Sequence, residues 1–269
     1  MYKKFFLNFG INTFLVLGTV NYIILLINFI LKIKKIIQQK KLIPIDNTFK
    51  KISLKFNNNR FFINIEKLNY LCQEKDTFGL IREIFFRNVY LKNLNHKDFE
   101  KFICFDIGCN RGIFSVIASK IFKFVICIDL QKKYNKCIDE IMSSNNQKNY
   151  EIINGIIGSL ELLELKNKLG SDQRIINLNE LIKNKTNGEK IFLKIDIEGG
   201  EFRLFDEIDL NLVNVIVMEI HNDKGSLKKI LDKLNDNNFK FLCFNDKLNK
   251  ISYPDTTISF VRATKSNQL

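Results

Sequence analysis

Along residues 102–262, short apolar runs alternate with amphipathic segments, and this alternation sets the expected architecture. Residues 102–107, 124–129, 150–157, 191–197 and 213–220 read as strands, since continuous runs rich in Ile, Val and Phe suit a sheet covered on both faces. Between them, residues 113–121, 132–144, 202–208 and 227–234 carry apolar side chains near helical spacing, and residues 240–244 and 257–262 read as closing strands. Strands alternating with helices predict an α/β fold with a doubly wound sheet. Upstream, residues 51–56 and 60–65 form two β-type runs joined by Asn57-Asn58-Asn59, a hairpin signature, and residues 78–90 have helical spacing.

The N-terminal pattern is of another kind. Residues 5–31 contain no charge, and at about 1.5 Å per residue such a helix reaches roughly 40 Å, enough for a hydrocarbon core of about 30 Å. The run ends in Leu31-Lys32-Ile33-Lys34-Lys35 without an A-x-A-like cleavage site, so a transmembrane anchor is expected rather than a cleaved signal. Lys3 and Lys4 precede the run, while Lys32, Lys34, Lys35, Lys40 and Lys41 follow it. That bias places the body in the cytoplasm, with a single span and the lysines against anionic lipid headgroups. The expected organisation is an anchor with its basic flank over residues 1–41, a hairpin and helix extension over 42–100, and the α/β domain over 101–269.

Charge changes the picture only once it is located. The 269-residue chain has 42 Lys and Arg against 29 acids, a net charge of +13, yet residues 1–60 carry +10 of it. The nearly neutral body, which also lacks an N/D-P-P-Y/F motif, argues against a nucleic-acid partner. Six cysteines include no C-x-x-C pair, and two histidines give no zinc set at the usual spacing, so reduced thiols in a cytosol-facing protein are expected.

Two motifs carry the chemistry. Asp106-Ile107-Gly108-Cys109-Asn110-Arg111-Gly112 follows the first strand of the alternation and opens a helix, giving D-x-G-x-x-x-G. The glycines permit a tight turn and close approach of a ligand, and Asp129 ends the next strand, where an acid accepts hydrogen bonds from ribose hydroxyls. Asn110 stands where a dinucleotide fingerprint needs its second glycine, and the Lys-Ser/Thr of a P-loop is missing. The remaining pattern is that of enzymes using S-adenosylmethionine (SAM), a cofactor without phosphates; Asp106 and Gly108 would border its amino-acid part, with Asn110, Gly112 and Asp129 completing the site. The second motif is Lys194-Ile195-Asp196-Ile197-Glu198-Gly199-Gly200-Glu201, with Met218-Glu219-Ile220-His221 ending the following strand. Carboxyl ends of strands border the crevice of an open α/β sheet, so Asp196, Glu198, Glu219 and His221 should converge there.

Over residues 78–263 the chain resembles the FkbM-type SAM-dependent methyltransferases, on FDIGCNRGIFS, VICIDL, the N-L-N-E-L segment at Asn177, LKIDIEGGE and VMEIH. Cys109 and Arg111 depart from loop positions that are usually small or apolar, and Asp129 replaces the more frequent Glu. The resemblance implies a seven-stranded, Rossmann-like methyltransferase sheet and methyl transfer to oxygen, often a sugar hydroxyl. Such a displacement needs alignment and removal of the hydroxyl proton. Asp196 is the expected positioning residue, with Glu198 or His221 as proton acceptor, a neutral imidazole having an ordinary pKa near 6.5. No resident metal is assigned, although carboxylates of Asp196, Glu198 and Glu219 would suit Mg²⁺. The expected partners are SAM, a hydroxyl-bearing glycan or small-molecule acceptor, and membrane lipids. The competing readings are a membrane-tethered scaffold with a non-catalytic methyltransferase fold and a nucleic-acid methyltransferase.

Overall fold

The computed structural model describes residues 10–92, 94–158 and 174–266. They divide into two compact units: Met1–Lys92 with Arg111–Lys120 and Lys133–Lys148, and Asn93–Asn110 with Ile121–Lys132 and Asn149–Leu269.

In the first unit, helix α1 spans Ile11–Gln39 and is interrupted at Gly18, whose φ of 70° and ψ of 169° are not helical. The expected uninterrupted helix over residues 5–31 is therefore corrected to two helical stretches, and residues 5–9 lie outside the described ones. Glycine alone takes that backbone readily, which is why the break falls there. By length and composition α1 is long and apolar enough to cross a membrane, and only 17% of its most apolar window is buried, unlike a core helix. Leu17, Leu25 and Ile36 face inward, whereas Ile23, Ile27, Ile30 and Leu31 are exposed.

The hairpin follows as expected: β1 (Ile52–Phe56) pairs antiparallel with β2 (Asn59–Ile63), and Asn57 and Asn58 take the positive φ its turn requires. Helix α2 (Ile65–Cys72) starts at Asn64, whose side chain accepts from Lys67 N–H. The expected helix over residues 78–90 is α3 (Thr77–Ile81), widening into a π-helical turn over Arg82–Arg87 and stopping at Asn88 in the left-handed region. Arg111 is buried in this unit, hydrogen-bonded to Cys72 Sγ and paired with Glu74 and with Asp76 at 2.5 Å. Helices α4 (Ile113–Ala118) and α5 (Asn135–Ser144) meet at Gly112, where a Cβ would lie 3.2 Å from Ile138.

The second unit is built on one sheet. Its strands are β3 (Ile103–Ile107), β4 (Phe124–Asp129), β5 (Tyr150–Asn154), β8 (Ile191–Ile195), β9 (Val215–Glu219), β10 (Phe239–Asn245), β11 (Lys250–Ile251) and β12 (Ile258–Lys265), in the order β11-β10-β12-β9-β8-β3-β4-β5. The five strands from β9 to β5 are parallel; β12 pairs antiparallel with both β9 and β10, so β10 points the same way as the five. The sheet has eight strands where seven were expected; the short β11 forms where Asn245 Oδ1 accepts from Lys247 and Asn249 N–H and turns the chain back onto β10.

The expected strand over residues 150–157 is split at Gly155. There the chain leaves β4, and β6 (Ile156–Ile157) pairs instead with β7 (Ile175–Ile176), with Arg174 O so close that only glycine fits. Asn177 then caps helix α6 (Leu178–Lys185), accepting from Asn179 and Glu180 N–H. Helices α7 (Glu201–Glu207) and α8 (Leu227–Asp236) complete the alternation. Strands β3 and β8 are buried along their whole length, as continuous apolar runs require. At their amino ends Phe99, Phe102, Phe122 and Phe192 pack ring on ring, with centroids 4.7–5.4 Å apart. Burial of each phenylalanine contributes about 1.5–3 kcal/mol. Polar groups gather at the opposite ends.

Candidate active site at the carboxyl ends of the strands

β3 is flanked by β4 on one side and β8 on the other, so chain order reverses beside it. A crevice at the carboxyl ends is the ligand site such a reversal creates. Two charged residues interrupt the buried strands, Asp106 on β3 and Lys194 on β8, and they are register partners. Lys194 Nζ lies 3.1 Å from Asp106 Oδ1, donates to Gly108 O at 2.8 Å and stands 3.7 Å from Asp196 Oδ2. Burial alone would strip the Lys194 proton, but the carboxylates of Asp106 and Asp196 outweigh it and hold the ammonium charged well above its ordinary range. Asp106 is fully buried, so it braces the loop from beneath.

Gly108 and Cys109 N–H both bond Ile128 O, and Asp196 N–H bonds Ile107 O, which draws the ends of β3, β4 and β8 together. Gly108 has φ +75°, and a Cβ there would fall 1.7 Å from Asp196 O. Glycine is required first by the protein's own backbone. Asn110, at φ 49°, donates its N–H to Asp129 Oδ2 at 2.9 Å, and Asp129 Oδ1 accepts from Gln131 N–H at 2.8 Å. Burial raises the Asp129 carboxyl above the usual aspartate range despite those two bonds. Asn110 Oδ1 is a buried acceptor with no partner among the described residues.

Of the four residues expected to converge here, three come together. Ligand atoms of Asp196, Glu198 and His221 all lie within 4.8 Å of one another, with Glu198 Oε2 3.3 Å from His221 Nε2. Glu219 ends β9 and is not part of that group. Glu198 is almost wholly exposed and has φ 52°, while Asp196 and His221 are partly buried. The residue sequence reasoning passed over is Glu201. Fully buried at the start of α7, it accepts from Gly199 N–H at 2.9 Å, His221 N–H at 2.8 Å and the His221 Nδ1 side at 3.0 Å. Its nearness to a Gly pair was visible in the sequence; its partner 20 positions onward was not.

A cavity of about 870 Å³ lies elsewhere, along β5 and α6, lined by residues including Ile153, Asn154, Ile176, Asn177 and Glu180. The carboxylates and imidazole, not this volume, locate the chemistry.

The sheet order and a glycine loop at its reversal define a methyltransferase-like α/β fold. Residues 125–241 match the family model described as the methyltransferase FkbM domain. No curated protein matches the chain. Similar solved structures include a precorrin-6y C5,15-methyltransferase from Geobacter metallireducens (15% identity, 62% of this chain and 81% of that one, TM-score 0.39). TYW2 from M. jannaschii in complex with AdoMet gives 10% identity, 80% and 85% coverage and a TM-score of 0.40. SMU.1697c, a putative methyltransferase from Streptococcus mutans in complex with SAH, gives 12%, 62%, 90% and 0.38.

Proposed function

We propose that the chain is a SAM-dependent O-methyltransferase acting on a hydroxyl of a sugar, glycan or glycolipid at the cytoplasmic face of a membrane. The observation that carries the reading is the meeting of an acceptor-rich glycine loop with a carboxylate–imidazole cluster at the ends of β3, β4, β8 and β9, the cluster lying in the stretch that matches the FkbM domain model. The loop fits the cofactor. Asp129 and the unpartnered Asn110 Oδ1 are acceptors suited to ribose hydroxyls and an ammonium, and no phosphate cradle is built. SAM supplies a methyl group on a sulfonium, whose C–S electron pair stays with sulfur as the O–C bond forms.

The chain's residues do the rest. Asp196 orients the acceptor hydroxyl, and Glu198 or His221 at Nε2 takes its proton, while Glu201 holds the imidazole by Nδ1. The exposed apolar side of α1 and the lysines at 32, 34, 35, 40 and 41 seat the protein on an anionic bilayer. Calorimetry of the full chain in detergent should detect SAM binding, and radiolabelled SAM with membrane fractions should label a glycan or glycolipid. A chain that binds no SAM would leave the scaffold reading in its place. Protease added to sealed cells should spare the body, and digestion from outside would overturn the orientation.

A further inference from the structure

We infer that Asp196, Glu198 and His221 form a site for one divalent cation. The inference deepens the methyltransferase reading and rests on it for the ion's role, not for its binding. Three observations point to an ion. The ligand atoms, two carboxylate oxygens and an imidazole nitrogen, already lie within 4.8 Å of one another, the span that one coordination sphere of adjacent and opposed ligands occupies.

The second observation comes from outside the cluster. Glu201, fully buried, has both oxygens engaged by the N–H groups of Gly199 and His221, so the 3.0 Å contact to Nδ1 places the ring proton on Nδ1. The Nε2 lone pair is thereby turned toward Glu198 Oε2 at 3.3 Å, acceptor against acceptor. That opposition is relieved by a second ring proton, which makes the contact an ion pair, or by a metal ion between the two atoms. A carboxylate holding the far side of an imidazole is also what orients a metal-ligating histidine.

Third, charge favours a cation. Asp196, Glu198 and Glu201 set three carboxylates around one imidazole, while Lys194, 3.7 Å from Asp196, is itself held by Asp106 and Gly108 O. One nitrogen and two oxygens suit Mn²⁺ or Zn²⁺ better than an all-oxygen ion such as Ca²⁺. With three protein ligands, open positions remain for water and the acceptor. With the ion bound, Glu198 and His221 Nε2 would serve as its ligands rather than as proton acceptors; the acceptor hydroxyl, acidified by the ion, would then lose its proton to solvent as its oxygen forms the O–C bond and the C–S pair stays with sulfur. The site replaces Glu219 of the sequence expectation by His221.

Mn²⁺ is the probe. Full-length protein in detergent, stripped with EDTA, is titrated with MnCl₂ and followed by electron paramagnetic resonance. One Mn²⁺ per chain is expected, with ¹⁴N modulation from a coordinated imidazole that disappears in His221→Gln. Glu198→Gln, at an exposed position where folding is not at stake, should weaken binding at least tenfold. Absence of stoichiometric binding, or binding unchanged by both substitutions, overturns the site. SAM binding by the stripped wild-type protein is measured in parallel. Retained SAM binding without Mn²⁺ binding sinks the ion alone, whereas Mn²⁺ binding without SAM binding supports the site and sinks the methyltransferase reading.

Discussion

Asp129 shows how a single carboxylate couples affinity to acidity. Burial raises its pKa, and in the proposed role its ionised form accepts from the ribose hydroxyls, so SAM affinity should fall on acidification at a higher pH than an exposed aspartate would dictate. Asp129→Asn should weaken SAM by about ten- to a hundredfold, the value of a hydrogen bond or two to a charged group, and should flatten that pH dependence in calorimetry. A sloped profile that survives in the variant would assign the titration to another group. Glu201→Gln tests the opposite kind of role. It keeps the shape but not the charge that orients His221, so turnover should drop by an order of magnitude or more while SAM affinity stays unchanged. Asp129 and Gly108 were legible in the sequence by position after apolar strands. The reason for Gly108 was not, because the carbonyl it must avoid belongs to Asp196, which sequence separation conceals. Gly108→Val would consequently disturb the loop whether or not a cofactor binds.

Among the elements, strands were legible where side chains are buried on both faces and helices where one stripe is apolar. What escaped was set by backbone geometry. Gly155 ends β5 early because Arg174 O occupies the space of a side chain, and α2 depends on an Asn64 cap with little periodicity to announce it. Gly112 joins the conformational and packing demands. Its φ of +77° disfavours any side chain, and a Cβ would press on Ile138 and Ile141 between α4 and α5. Gly112→Ala should therefore destabilise the fold by about 1–2 kcal/mol, read as a lower denaturant midpoint at unchanged slope. An unaltered midpoint would mean that α4 and α5 shift without cost.

For the whole molecule, the decisive contrast is between a strongly basic first stretch and a nearly neutral remainder. The charge pattern was fully legible, while the interruption of α1 at Gly18 was not, since a lone glycine inside an apolar run is compatible with continuous helix. The exposed residues Ile23, Ile27, Ile30 and Leu31 beside Lys32, Lys34 and Lys35 give the protein a surface that water does not satisfy. With that surface in a bilayer, encounter with a lipid-linked acceptor becomes a two-dimensional search, and the concentration that matters is acceptor per unit of membrane area. Adding inert lipid or detergent at constant bulk acceptor should then slow methylation in proportion to the dilution, whereas removing residues 1–41 should abolish that dependence and leave a rate set by molarity alone.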